Sequence, residues 1–249
     1  MRTFIGPSRH ARSVRESRFV RALWRLCLIC VAQLGLRLDR ARPAWIAALV
    51  LAVGLGLAVA EAHSRTLTLA YFAATWLFYY GGNTLILGMR LNETAIRRLG
   101  PDAAFRRYET LVGTMFASQG LGVGAMCALD SGAWRLPIAP EIAMPVGLLL
   151  FIVGFGTKIW AIHLVGLDTY YFKDLFLGQT QGPFVSRGPY RFLANPMYGV
   201  GQIHGYGFAL ASGSLTGLAA AAICQLSIYG FYFAVERPFI ARVYLSSAR

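Results

Sequence analysis

The sequence predicts an all-α polytopic membrane protein of about six transmembrane helices, preceded by an amphipathic helix on the membrane surface. Three observations predict it. Of 249 residues, 56% are hydrophobic and only 14% charged, against about 25% charged in an ordinary soluble domain. Apolar stretches near the ~20 residues needed to cross a bilayer recur along the chain. The connections between them alternate between rich and poor in Lys and Arg, as cytoplasmic and opposite loops do.

The same composition excludes other classes. The chain is too apolar for intrinsic disorder. Its four cysteines do not make a disulfide scaffold, because Cys127 and Cys224 sit inside apolar runs. A net charge of +13, from 24 Lys+Arg against 11 Asp+Glu, could serve nucleic acid. In so apolar a chain it points instead to an anionic lipid surface, with no nucleic-acid partner.

The first 40 residues carry Arg12, Arg15, Arg18, Arg21 and Arg25 near helical spacing, and their apolar run at 26–36 is too short to span. No small-residue cleavage site follows, as a signal peptide needs. A lipoprotein reading of Cys30 fails because Ile29 precedes it. Residues 1–42 therefore read as an Arg-rich interfacial arm, arginines outward and Leu, Phe and Trp inward. Cys27 and Cys30 read as small apolar residues of that helix rather than a redox pair. Residues 43–249 form the transmembrane domain. Its candidate spans are 44–60, 67–87, 111–129, 142–167, 197–211 and 215–235. The fifth is short and Gly-rich, so it can also be a re-entrant piece or pair with the sixth through Ser212-Gly213-Ser214.

Charge orients these spans. Ten arginines precede the first. Arg90, Arg97, Arg98, Arg106 and Arg107 separate the second and third, Lys173, Arg187 and Arg191 the fourth and fifth, and Arg237, Arg242 and Arg249 follow the sixth. The alternate connections hold Arg65, Arg135 and none. Both termini are expected in the cytoplasm, in a bacterial inner membrane or its equivalent.

Polar groups at membrane depth are costly and so are functional candidates. These are Lys158 and His163 in the fourth span, His204 in the fifth and Glu236 at the end of the sixth. Lys158 is ~15 Å of helix from Asp168, further than lysine normally snorkels. Residues 168–198, DTYYFKDLFLGQTQGPFVSRGPYRFLANPMY, are too long and too aromatic for a simple turn. Most of the aromatics suit an interfacial belt. An excess suits a sulfonium or ammonium ligand. No His/Cys/Asp cluster has metal-ligand spacing, and no metal is expected.

TYYFKDLF, NPMY, SLTGL and ERPFIARVY together resemble the integral-membrane phosphatidylethanolamine N-methyltransferases, which share a C-terminal core with the isoprenylcysteine carboxyl methyltransferases. The resemblance covers about residues 150–244. It implies S-adenosylmethionine as cofactor, bound in a membrane-embedded helical core, and a membrane lipid as methyl acceptor. Carried over by position, it implies cofactor contacts at Gly154, Gly156, Asn195, Pro196, Glu236 and Arg237. The family's second acidic residue is absent, since Arg237 follows Glu236. Ala194-Asn195-Pro196 fits the phospholipid branch, where the carboxyl branch has Arg-His-Pro.

Read from the residues alone, Gly154 and Gly156 point ~200° apart on a regular helix and cannot line one groove; small residues there also allow close helix packing. Glu236 at a helix C-terminus opposes the dipole, so a loop arginine, Arg237 or a ligand hydroxyl must favour it. Methyl transfer to an amine requires loss of a proton. His204 is the candidate base, with Tyr198 or a water as alternative. Tyr190 and Tyr198 suit a methylated cation, and Arg187, Arg191 or Lys158 the lipid phosphate. A carboxyl methyltransferase, an NADPH-dependent reductase of similar core and a non-catalytic lipid-binding protein remain open.

Overall fold

The computed structural model describes residues 9–129 and 135–245, and over 9–19 the backbone alone. The expectations for Arg2 and Arg249, and for the outward side chains of Arg12, Arg15 and Arg18, lie outside the described residues. No strand occurs among the described residues; one isolated bridge pairs Arg135 with Ser214. Helix α1 spans Arg9–Gln33, α2 Pro43–Glu61 and α3 Arg65–Trp76. Wide π-helical turns over Leu77–Gly81 and Thr84–Gly88 prolong α3. Then come α4 (Leu91–Leu99), α5 (Pro101–Ala128) and α6 (Pro140–Val165). Two short helices follow, α7 (Leu167–Tyr170) and α8 (Lys173–Leu177). The C-terminal part holds α9 (Ile203–Ala211), α10 (Leu215–Phe231), wide turns over Tyr232–Glu236 and α11 (Arg237–Ile240).

Among the described residues, four helical stretches are long and apolar enough to cross a membrane: Pro43–Glu61, Pro101–Ala128, Pro140–Val165 and Leu215–Tyr244. The second expected span is there as α3 with its wide turns, helical over 65–88. The fifth differs. Helix α9 has nine residues, ~14 Å, about half the ~30 Å hydrocarbon thickness. Its start is delayed by Asn195 and Pro196. Gly199 N donates to Asn195 O at 3.0 Å and Gly201 N to Pro196 O at 2.7 Å. These turns use the residues that a full span would need.

Helix α9 runs antiparallel along α6 because glycines let the backbones touch. A Cβ on Gly154 would collide with His204 N, one on Gly147 with Ala211 N and one on Gly207 with Phe151 N. The turn into α10 is capped by the Ser214 hydroxyl, which accepts from Gly217 N at 3.0 Å. Thr216 Oγ1 donates to Met126 O at 2.8 Å, and Leu136 N to Gly213 O at 2.9 Å. The ends of α5 and α9 and the starts of α6 and α10 thus gather at one end of the bundle.

The arm is partly built into the bundle. Val20, Leu23 and Trp24 are exposed, as an interfacial helix requires, but Ile29 and Ala32 are buried. Tyr171 donates its hydroxyl hydrogen bond to Ala32 O at 2.9 Å. The chain then turns through Gly35 at φ +91°, where a Cβ would collide with Gly113 O. Fully buried Trp45 donates to Gly35 O at 2.9 Å.

Candidate active site

The arginine-rich end is organised by Glu109, a carboxylate 0% exposed in the first half of α5. Arg37 Nη1 lies 3.0 Å from Glu109 Oε1, Arg40 Nη1 3.3 Å from the same oxygen, and Arg42 Nη2 3.6 Å from Oε2. Arg37 also bonds Asp168, and Lys173 Nζ reaches Asp168 Oδ2 at 3.0 Å. Burial would raise the Asp168 carboxyl; hydrogen bonds from Arg37 and Lys173 outweigh it and hold it at about 2. Asp174 behaves oppositely: burial raises it, against hydrogen bonds from Leu175 N and the Tyr244 hydroxyl.

Below this end lie two cavities. One, of about 580 Å³, runs at membrane depth between α1, α2, α5, α6, α9 and α10. The other, of about 630 Å³, lies under the 181–195 loop and against α11. Thr169, Phe172, Met197 and Glu236 wall both. Glu236 therefore stands where they meet. Its Oε2 is buried without a hydrogen-bond partner, as is Tyr190 Oη, and Tyr190 lines the loop cavity. The Tyr198 side chain lies close to Glu236, and both line the membrane-depth cavity.

Tyr198 is held from both sides. Its N–H donates to Asn195 Oδ1 at 3.2 Å, and its carbonyl accepts from Gln225 Nε2 at 3.2 Å. Three residues on, Gly201 abuts Lys158: a Cβ added at Gly201 would lie 3.4 Å from the Lys158 Cβ. Lys158 lines the membrane-depth cavity and is not a lipid-facing snorkeller. His204 also lines it. Its Nδ1 lies 2.6 Å from Gly201 O; a carbonyl only accepts, so Nδ1 carries the proton and the neutral ring leaves Nε2 as acceptor. Phe151 and Phe155 meet the imidazole edge-on, both at 6.2 Å.

The expected residues fall at different depths. Gly205, next to His204, abuts Ala221, fifteen positions before Glu236 along α10 and its wide turns. His204 is therefore roughly 20 Å of helix from Glu236. Asn195, Arg187 and Tyr190 line the loop cavity. Pro196 is fully buried and lines neither cavity. Arg237 and Arg191 line neither; each lies over a phenylalanine ring, Phe233 and Phe192, at 5.7 Å. Gly154 is taken up by contact with α9, and Gly156 meets nothing within 4 Å. The two glycines do not share a groove. His163 lines neither cavity.

Sequence reasoning misses three further polar residues. Gln33 and Gln119 line the membrane-depth cavity, and Glu109 anchors the arm. An acidic residue inside an apolar helix, in a chain with surplus arginine, is the available signal for Glu109. Gln33 lies in a segment whose charge pattern reads as surface helix, and nothing local marks it.

Residues 142–247 match the family model described as phospholipid methyltransferase. That stretch resembles the phospholipid methyltransferases. It includes α6, the 181–195 loop, α9, α10 and Glu236. A phosphatidylethanolamine N-methyltransferase of Malassezia globosa is 32% identical over 146 residues, 59% of this chain and 15% of the relative. One from Schizosaccharomyces japonicus is 31% identical over 102 residues, 41% of this chain and 11% of the relative. Phosphatidylethanolamine N-methyltransferase B of Dictyostelium discoideum is 30% identical over 104 residues, 42% of this chain and 52% of the relative. The chain thus spans a small fraction of the fungal relatives' length and about half of the Dictyostelium protein. These relatives are eukaryotic and lend no support to a bacterial membrane. No solved structure matches the chain.

Proposed function

We propose that this integral membrane protein transfers a methyl group from S-adenosylmethionine to the amine of a phosphatidylethanolamine-type lipid. The observation that carries this reading is Glu236. It is a carboxylate with a free buried oxygen at the junction of a loop cavity and a membrane-depth cavity. A two-substrate reaction between a polar donor and a lipid needs such a junction.

The residues present fit the cofactor. Glu236 Oε2 is an unpaired acceptor suited to ribose hydroxyls, and Tyr190 Oη an unpaired donor suited to a carboxylate. Asn195 and Arg187 would complete that cavity's polar wall. When bound, S-adenosylmethionine supplies an electrophilic methyl carbon. The chain's own groups align the two reactants, and alignment supplies much of the rate of such a displacement. The amine nitrogen gives its lone pair to the new N–C bond as the C–S bond breaks, with that bond's electrons staying on sulfur. One proton must leave the nitrogen. A base must come within about 3 Å of the proton that it takes. Tyr198, which lines the same cavity as Glu236, would pass it to the carboxylate. His204, a good base in isolation, lies too far down the cavity if Glu236 holds the ribose. Lys158, between these depths, suits the lipid phosphate. Arg191, Arg237, Pro196 and the Gly154/Gly156 pair then support the loop and helices without touching a reactant.

The arginine-rich end faces the cytoplasm in this reading, with both termini there, and the arm rests on anionic lipid. The test is direct. The protein in nanodiscs containing phosphatidylethanolamine and methyl-labelled S-adenosylmethionine should yield labelled phospholipid, and S-adenosylhomocysteine should raise its melting temperature. No label in any lipid from a protein that binds S-adenosylhomocysteine would point to another acceptor. No binding of either cofactor form would end the reading.

A further inference from the structure

Gln33, at the end of α1, lies 109 residues before the segment that resembles the methyltransferases. It lines the membrane-depth cavity, and both its amide nitrogen and its amide oxygen are buried without a partner. Rotating the amide by 180° changes nothing, since either orientation leaves donor and acceptor unsatisfied. In a low-dielectric interior a polar group is normally paired. Gln119, across the same cavity, has Oε1 likewise unpaired, while its Nε2 donates to Cys224 Sγ at 2.9 Å.

Depth places Gln33 level with the Tyr198 backbone, between the depths of His204 and Glu236. The neighbouring Ala32 carbonyl is bonded by Tyr171, between Tyr170 and Phe172. Phe172 is part of the wall shared by the two cavities. Phe116, also lining the membrane-depth cavity, stacks on Tyr170 at 5.1 Å. It precedes Gln119 by three residues on α5, and Gln119 meets Cys224. Phe116 is therefore level with about residue 227 of α10. The Tyr198 backbone, tied to Gln225, is at that same level.

Resting on the reading above, we propose that Gln33 is a specificity-determining residue that recognises the N–H groups of the lipid amine. Its oxygen accepts from the ammonium and its nitrogen donates to the adjacent phosphodiester. The chemistry makes this contact dependent on methylation. A primary ammonium offers three N–H donors and a dimethylated one a single donor. A trimethylated nitrogen offers none. The Gln33 oxygen therefore favours the unmethylated and partly methylated lipids and loses its partner once the third methyl is on. The chain's N-terminal helix would in this way complete an acceptor site that the matched segment alone leaves open.

The experiment is a comparison of lipids with the full-length protein in nanodiscs. Gln33→Met keeps length and removes hydrogen bonding; Gln33→Glu keeps the acceptor oxygens. Retained S-adenosylhomocysteine binding shows that each variant is folded. For Gln33→Met, KM for phosphatidylethanolamine should rise about tenfold, while the inhibition constant of the trimethylated lipid, which offers no N–H, should change less than about threefold, with kcat changed little. Gln33→Glu should restore the preference for lipids that carry an N–H. Equal changes for the acceptor and the trimethylated lipid, or no change, would overturn the proposal. A parent protein that does not methylate phosphatidylethanolamine would instead overturn the reading on which the proposal rests.

Discussion

Glu236 is where a single atom's environment makes the strongest demand. Its buried Oε2 has no protein partner, and a buried acceptor left unpaired is unfavourable unless a ligand fills it. Glu236→Gln keeps the shape and removes the charge. Cofactor affinity should fall by about 1.5–3 kcal/mol, the range for hydrogen bonds to charged groups, measured by calorimetry in detergent. Unchanged affinity would reassign Glu236 to a structural role. Tyr198→Phe removes only the hydroxyl beside it and should lower turnover by about 10²-fold or more with cofactor affinity nearly intact. His204→Ala should change turnover by less than about tenfold, because the imidazole lies at the other end of the cavity. The reverse pattern in single-turnover rates would return the base to His204. Lys158, His163, His204 and Glu236 were legible as candidates because polar groups are rare in apolar runs, and Tyr198 as the alternative base in NPMY; His163 lines neither cavity. Their separation in depth was not, since it depends on which residues of α6, α9 and α10 meet.

At the scale of elements, the close approach of α6 and α9 decides how the membrane-depth cavity is shaped. A methyl at Gly154 collides with the backbone of His204, whereas one at Gly156 meets open space. Gly154→Ala should destabilise the protein by roughly 1–3 kcal/mol, as overpacking does, and Gly156→Ala by much less. Melting curves in detergent read the difference; equal melting temperatures would mean that the helices slide apart without penalty. The long spans could be read from composition because length and apolarity alone set them. The half-depth α9 could be read only as one of two alternatives, a short span or a re-entrant piece, because what shortens it is the hydrogen bonding around Asn195 and Pro196. The helical form of the arm was legible in its arginine spacing. Its last turn was not, because Gly35, Trp45 and Tyr171 hold it through contacts distant in sequence.

The whole molecule is polarised along its axis. Arg37, Arg40, Arg42, Arg106, Lys173 and Arg187 lie towards one end, while Arg135 lies at the turn before α10. Reporter fusions after Arg65 and Arg135 should be extracytoplasmic, and one at Arg98 cytoplasmic; an external reporter at Arg98 would reverse the orientation. Acid should loosen the charged end. The folded Asp168 carboxyl titrates at about 2, below the ordinary ~3.9. Its contribution is complete above about pH 4 and is lost as pH falls towards 2. Asp174, raised by burial, contributes in the opposite direction. The melting-temperature gap between the parent and Asp168→Asn should therefore be constant from about pH 8 to 5 and close below about pH 4. A gap that persists at the acid end would remove the ionised carboxylate from the explanation.

The clasp around Glu109 also bears on the order of assembly. Synthesis runs from the N-terminus, yet Arg37 finds Glu109 72 positions later and Asp168 131 positions later. When Arg37 leaves the ribosome neither of these distant partners exists. Its charge rests on Asp39, two positions on and 2.7 Å away in the folded chain, until α5 inserts and supplies the buried acid. The second arrives only when α6 has crossed and carried Asp168 back to the surface where the arginine waits. The first helix made is thus among the last to dock. A nascent chain arrested before Asp168 should leave α1 open to protease, and one arrested beyond α8 should protect it.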